Sequence, residues 1–238
     1  MKSYINLKSE VMETQSLNKP KFVLSPSEFA FGKLPTLTRY IFMGNKVKYN
    51  LKNVHAAKMT EAVTDGVVSF TYEKPKAIPG AVSISLDAEG ESSPFYADGI
   101  VYFRSVTNNG YSGDLEIALI PEWFRTEILQ ETLDDKGVLV ENSGVGESVK
   151  FALLFEFDGD VNAIRHVLYN CSASRPSIES ETKEDTIEPG TETLSITADP
   201  RSDGLVKART GDTTDNAAYD DWYKNVYVSP ATVSEEGV

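Results

Sequence analysis

Two histidines, His55 and His166, and one cysteine, Cys171, are the side chains of this 238-residue chain best suited to nucleophilic or metal chemistry at neutral pH. A thiolate and imidazole pair would need Cys171 beside His166. They lie five positions apart on what reads as one strand, so their side chains are expected on opposite faces, and Cys171 reads as a small packing residue. Two histidines 111 positions apart, with no cysteine cluster, make no zinc pattern. Asp158-Gly-Asp160-Val-Asn162 opens like an EF-hand loop, but the sixth position is Ala163 where glycine is needed and the twelfth is Tyr169 where glutamate is needed. A hairpin with a type I′ turn at Asp158-Gly159 is expected instead. Gly144-Val-Gly146 matches two glycines of a dinucleotide fingerprint with no βαβ unit around it. Asn170-Cys-Ser172 has the form of a glycosylation acceptor, a chance match in a chain that shows no signal peptide. Glu179, Glu181, Glu184, Asp185, Glu188 and Glu192 stand against Lys183 alone and read as a solvated, mobile loop. The remaining carboxylates offer no spacing that selects a glycosidase pair. No catalytic, cofactor-binding or metal-binding residue is assigned, and the chain is not expected to be an enzyme.

The elements that would position any site are short β runs about ten residues apart, the rhythm of a sandwich or barrel. Val47 to Val54, Val67 to Tyr72 and Val82 to Leu86 come first. Ile100 to Phe103, Leu115 to Leu119, Phe151 to Phe157, Ala163 to Tyr169, Leu194 to Ile196 and Leu205 to Ala208 continue the series. Pro79-Gly80, Asp98-Gly99, Asn108-Asn-Gly110, Asp158-Gly159, Pro189-Gly190 and Asp203-Gly204 supply the turns. Pro121 to Leu133 breaks the pattern. Proline and glutamate in its first turn, and a stripe of Trp123, Phe124, Ile128 and Leu129, predict a three-turn helix packed on a sheet. Asp134 to Gly137 would end it before Val138-Leu-Val140 returns to strand.

Charge divides the chain. Residues 1–42 carry six basic and three acidic side chains, which leaves 17 basic and 33 acidic side chains, a net −16, on residues 43–238. An acidic body excludes nucleic-acid binding through a cationic footprint. A lone cysteine gives no support to an oxidising compartment. The longest apolar run, Phe151 to Phe155, is far short of the ~20 residues of a membrane span. Residues 1–42, with Pro20, Pro26 and Pro35 and no sustained periodicity, read as an extended or disordered leader. They are either a flexible arm or translated upstream DNA ahead of a true start at Met43. A β domain over 43–212 and a C-terminal arm over 213–238 complete the division. The arm holds aromatics between Tyr219 and Tyr227 that are expected to be exposed.

Phe95-Tyr-Ala-Asp-Gly-Ile-Val-Tyr-Phe103, Ser112-Gly-Asp-Leu-Glu-Ile-Ala-Leu-Ile-Pro-Glu-Trp-Phe-Arg125 and Gly137-Val-Leu-Val-Glu-Asn142 resemble the major tail proteins of long-tailed temperate phages of Gram-positive bacteria. Phe151-Ala-Leu-Leu-Phe-Glu-Phe157, Arg165 to Pro176 and Glu192 to Ala198 extend the resemblance, which covers most of residues 46–212. Members of that family begin near a segment like Lys46 to His55, which favours the upstream-start reading. The resemblance implies a mainly β fold, a β-sandwich or partly open barrel with one flanking helix and extended termini, like the inner tube of type VI secretion systems. It implies a structural virion protein whose hexameric rings stack into the non-contractile tail tube, assembled in the host cytoplasm. Implied partners are other copies of itself, a length-measuring (tape measure) protein, and tail terminator and baseplate proteins. DNA would pass through the lumen without specific binding, and no membrane or cofactor is implied. A β-sandwich module that binds carbohydrate or a host surface is the alternative. Strands pairing between neighbours would line the lumen, with the Pro121 helix outside them.

Overall fold

The computed structural model describes residues 44–64, 66–143, 148–178 and 189–229. The leader and the start at Met43 lie outside them, as do Gly144 and Gly146, the acidic run from Glu179 to Glu188, and residues 230–238. Contacts divide the chain after Ile41, and every described residue belongs to the unit Phe42–Val238.

The unit is mainly β, with 51% of the described residues in strands. In order it holds β1 (Lys48–Thr64), β2 (Val67–Tyr72), β3 (Lys76–Ala77), β4 (Ala81–Glu89), β5 (Ser92–Ala97), β6 (Ile100–Val106) and β7 (Gly110–Ile117). Then come α1 (Glu122–Glu127), β8 (Thr132–Leu133), β9 (Leu139–Val140), β10 (Phe151–Gly159), β11 (Ile164–Ala173), β12 (Glu192–Ala198), β13 (Lys207–Arg209) and α2 (Asn216–Asp221). One antiparallel sheet runs β2-β1-β10-β11-β12-β7-β4, with β3 on β1 and β13 on β11. It curls until β4 approaches β1, without a ladder between them. β5 with β6 and β8 with β9 form separate two-stranded ribbons.

β10 lies at the centre because its residues are apolar on both faces, as a strand covered on both sides must be. Phe151, Leu153 and Phe155 enter one core with Val54, Ile78, Leu115, Ile117, Phe124, Ile128, Leu194 and Ile196. Ala152 and Leu154 enter a second core with Ala57, Val167, Tyr169 and Trp222. Each buried Leu, Ile or Phe contributes about 1.5–3 kcal/mol.

Four expectations change. The helix spans only Glu122–Glu127, because Gln130 turns left-handed (φ 62) and the chain enters β8. Its stripe still docks, with Phe124 and Ile128 buried in the first core. Asp158-Gly159 is not the β10–β11 turn. β10 runs through Gly159, which pairs with Lys48, and Asp160 to Ala163 make the connection. His166 and Cys171 share a face. Between the pairs Phe151↔Cys171 and Leu153↔Leu168, β10 advances two residues and β11 three, and this bulge inverts the alternation. The C-terminal arm is not extended over its described part. It carries α2 and buries Trp222 to 3% exposure.

Candidate assembly surface

The outward face of β4, β7 and β12 is set by alternation. Ile84, Leu86, Leu115, Ile117, Leu194 and Ile196 point into the first core, so Ser83, Ser85, Asp87 and Glu89, then Ser112, Asp114 and Glu116, then Thr193, Ser195 and Thr197 point away. Every side chain in that array is a carboxylate or a hydroxyl. The two kinds are joined across strands. Ser83 Oγ donates to Glu116 Oε2 at 2.8 Å, Thr191 Oγ1 to Glu116 Oε1 at 2.8 Å and Ser195 Oγ to Asp114 Oδ1 at 2.8 Å. Ser112 donates to Glu89. The bonds from Thr191 and Ser83 hold the Glu116 carboxyl below its ordinary pKa. The array is an acidic surface with no basic side chain in it.

Beside this face the sheet is open. β4 has β7 on one side and no ladder on the other among the described residues, and at the far end β2 pairs only with β1. Both edges extend into ribbons. Beyond Lys58, β1 leaves β10 and continues with β2 alone, Met59↔Tyr72 to Thr64↔Val67. Its tip exposes Val63 (67%) and Val67 (68%). After Glu89, β5 and β6 form a hairpin closed by Asp98 and Gly99, both at positive φ (52° and 77°), as a two-residue type I′ turn requires. This ribbon exposes Phe95, Tyr96, Ile100, Val101, Tyr102, Phe103 and Val106. The pairing places Phe95, Ile100 and Phe103 on one face and Tyr96, Val101, Arg104 and Val106 on the other. Tyr102 is the extra residue of a bulge between Phe95↔Phe103 and Tyr96↔Val101. Both faces are apolar, and a lone two-stranded ribbon is marginally stable in water.

The outer face of β10 and β11 is closed by the segment around α2. Glu156, 5% exposed, accepts from Asn53 Nδ2 (2.6 Å), Arg165 Nε (2.9 Å) and Tyr223 Oη (3.2 Å). The Arg165 guanidinium lies 3.7 Å from the Tyr219 ring centroid and donates to the Tyr219 carbonyl. Asn53 reaches Glu156 because it sits in the left-handed region (φ 50) at a register shift of β1. Arg201, 6% exposed, pairs with Asp203 and donates to Tyr72 Oη at 3.1 Å. The aromatics expected to be exposed between Tyr219 and Tyr227 are thus largely spent within the molecule: Trp222, Tyr223 and Tyr227 pack on the second core.

The residues first considered for chemistry do not converge. Cys171 is fully buried, its thiol pushed up to about 12 by burial, and its Sγ lies 3.8 Å from the Leu168 carbonyl. His166 stacks on Phe155 with ring centroids 5.1 Å apart, and its Nε2 is buried without a partner. His55 Nδ1 is 2.8 Å from the Asn53 carbonyl, and its ring lies on Tyr223. Asn170-Cys-Ser172 sits within β11. No group of three metal-binding side chains occurs among the described residues, and no helix there is long and apolar enough to cross a membrane. An open groove of about 670 Å³ lies between Gly44-Asn45, the β10–β11 connection and residues 209–214. What residue-type reasoning missed is the acid and hydroxyl face. Its signal was present in the polar members of Ser83-Ile-Ser-Leu-Asp87, Asp114-Leu-Glu-Ile117 and Thr193-Leu-Ser-Ile-Thr197. No family model matches the chain, and no curated protein matches it.

Proposed function

We propose that this chain is the repeating subunit of a phage tail tube, a structural virion protein whose hexameric rings stack into a non-contractile conduit for DNA. The observation that carries the reading is the outward face of β4, β7 and β12, where carboxylates and hydroxyls alternate without a basic side chain beside an unpaired edge. A wall that DNA must slide past needs fixed negative charge, because any cationic footprint releases counterions and binds phosphate. It also needs hydrogen-bonding groups already engaged by one another, so that bases and phosphates find few free donors. In this reading the face lines the lumen, the open edges at β2 and β4 meet those of neighbouring copies, and α1 lies on the far side of the sheet. Head-to-tail contact between two different edges closes into a ring when the rotation closes. The tape measure protein would occupy the lumen during assembly, and terminator and baseplate proteins would cap the ends.

The solvent-exposed Phe95, Tyr96, Tyr102 and Phe103 favour a second reading, in which aromatic faces stack on sugar rings of a host surface. The two readings part on self-assembly. Electron microscopy of the purified protein at rising concentration, and of particles from infected cells labelled with an antibody to it, tests both. Rings or tubes are expected, with the antibody along the tail shaft. A monomer at every concentration, absent from tails and retained on a glycan array, would overturn the tube reading in favour of the second.

A further inference from the structure

We infer that the β5–β6 ribbon of one copy seats its Tyr96, Val101, Arg104 and Val106 face on the Val63, Val68, Phe70 and Glu61 face of the β1–β2 ribbon of a neighbouring copy. The inference rests on the tube reading and adds to it which surfaces meet.

Three observations select this pairing. The first is apolar exposure on both sides. In the β1–β2 ribbon, the pairs Glu61↔Phe70 and Val63↔Val68 share one face, while Thr60↔Thr71 and Ala62↔Ser69 make a mostly hydroxyl face on the other. The apolar face continues inward through Met59 and Tyr72 to the second core, where Arg201, paired with Asp203, covers the Phe70 ring at 4.1 Å, so the apolar surface open to a neighbour is that of Val63 and Val68 at the tip. The β5–β6 ribbon exposes seven large apolar side chains at 42–74%, and Tyr96, Val101 and Val106 among them stand on the face that makes this contact. The second is charge. The body carries a net −16, yet residues 92–106 hold only Asp98 and Arg104 and are neutral, so this is where like-charged copies can approach. Arg104 donates to Ser92 Oγ at 3.0 Å and no carboxylate pairs with it among the described residues. Glu61, exposed and likewise without an ion-pair partner among the described residues, stands on the facing surface. The third is position. The two ribbons rise from opposite edges of the sheet, β2 and β4, so contact between them is head to tail and propagates from copy to copy.

The Phe95, Ile100 and Phe103 face of the same ribbon is left free by this contact.

Charge exchange and cross-linking test the pairing. Arg104→Glu and Glu61→Arg each raise the concentration needed for assembly by about tenfold or more, and the double variant recovers to near the wild-type value. Circular dichroism confirms that the monomers stay folded. Single variants Val101→Cys and Val63→Cys, mixed and assembled under mild oxidation, give a disulfide-linked dimer that neither gives alone, since the native Cys171 is fully buried. Tubes that form with neither the cross-link nor the charge rescue would overturn the pairing and leave the tube reading standing. Wild-type protein that forms no tubes would overturn both.

Discussion

Burial decides what the ionisable side chains of this protein can do. The His166 imidazole is driven from 6.5 to about 4, by desolvation first and then by the positive charges of Lys48, Arg209 and Lys207. The folded chain therefore binds this proton less tightly than the unfolded chain. The stability associated with the neutral ring is complete above pH 6.5 and is lost as pH falls from 6.5 towards 4, roughly 3 kcal/mol in all. His166→Phe keeps a ring against Phe155 and removes the orphaned nitrogen. Urea unfolding from pH 7 to pH 4 should show a flatter profile for the variant by about that amount, and parallel profiles would show that His166 does not carry the effect. Glu156 makes the complementary case, a buried carboxylate sustained by three donors. Arg165→Met leaves it without its cation and should cost about 3 kcal/mol. Adding Glu156→Gln should cost little more, because the pair is coupled. Additive losses in urea unfolding would count against a coupled pair. Glu156 fastens β1, β11 and the segment after α2 together, while the His166 ring packs on Phe155 and Phe157.

At the level of elements, close backbone approach fixes the open edge of the sheet. Gly113 adopts φ 155°, and a Cβ placed there would lie 1.9 Å from the Ser85 carbonyl oxygen and 2.9 Å from the Leu86 Cα. Gly113→Ala must push β4 from β7, so amide exchange in Ser83 to Asp87 should rise sharply while β10 amides change only with global stability. Unchanged exchange in β4 would mean that the ladder absorbs a methyl group. Much of this architecture was readable from alternation. Val67 to Tyr72 marks β2 end to end, Phe151 to Phe157 marks the central strand, and Asp98-Gly99 closes its hairpin as turn chemistry requires. The failures have physical causes. β1 runs on to Thr64 because its second half pairs with β2 alone, which no local periodicity announces. The β11 bulge depends on its partner strand, so parity put Cys171 on the wrong face. Six residues were enough for α1 because tertiary burial of Phe124 and Ile128 stabilises it, not helix length. Trp222 and Tyr223 looked like interface aromatics because nothing in their own segment reveals the apolar face of β10 and β11 that receives them.

For the molecule as a whole, the division of charge is the property that function would use. In the proposed tube, a net −16 body would oppose the association of copies, so assembly would proceed through neutral apolar patches such as the β5–β6 ribbon and leave the acidic face free for DNA. Repulsion from such a wall reaches about 8–10 Å at physiological salt, so it acts on DNA only where a lumen is narrow, and it acts on every sequence alike. Asp114→Lys with Glu116→Lys reverses two charges on that face and touches neither the apolar core nor the ribbons. Tubes of this variant should form and should retain double-stranded DNA at low salt, releasing it as salt rises with the steep dependence of phosphate contacts. In virions the same change should slow genome ejection. Glu122→Lys on exposed α1 alters the net charge in the same sense on a different surface and should do neither. Retention by both variants alike would make net charge the cause. Retention by neither would remove the β4, β7 and β12 face from the lumen, since two lysines per copy around a closed wall could not leave passing phosphate unbound.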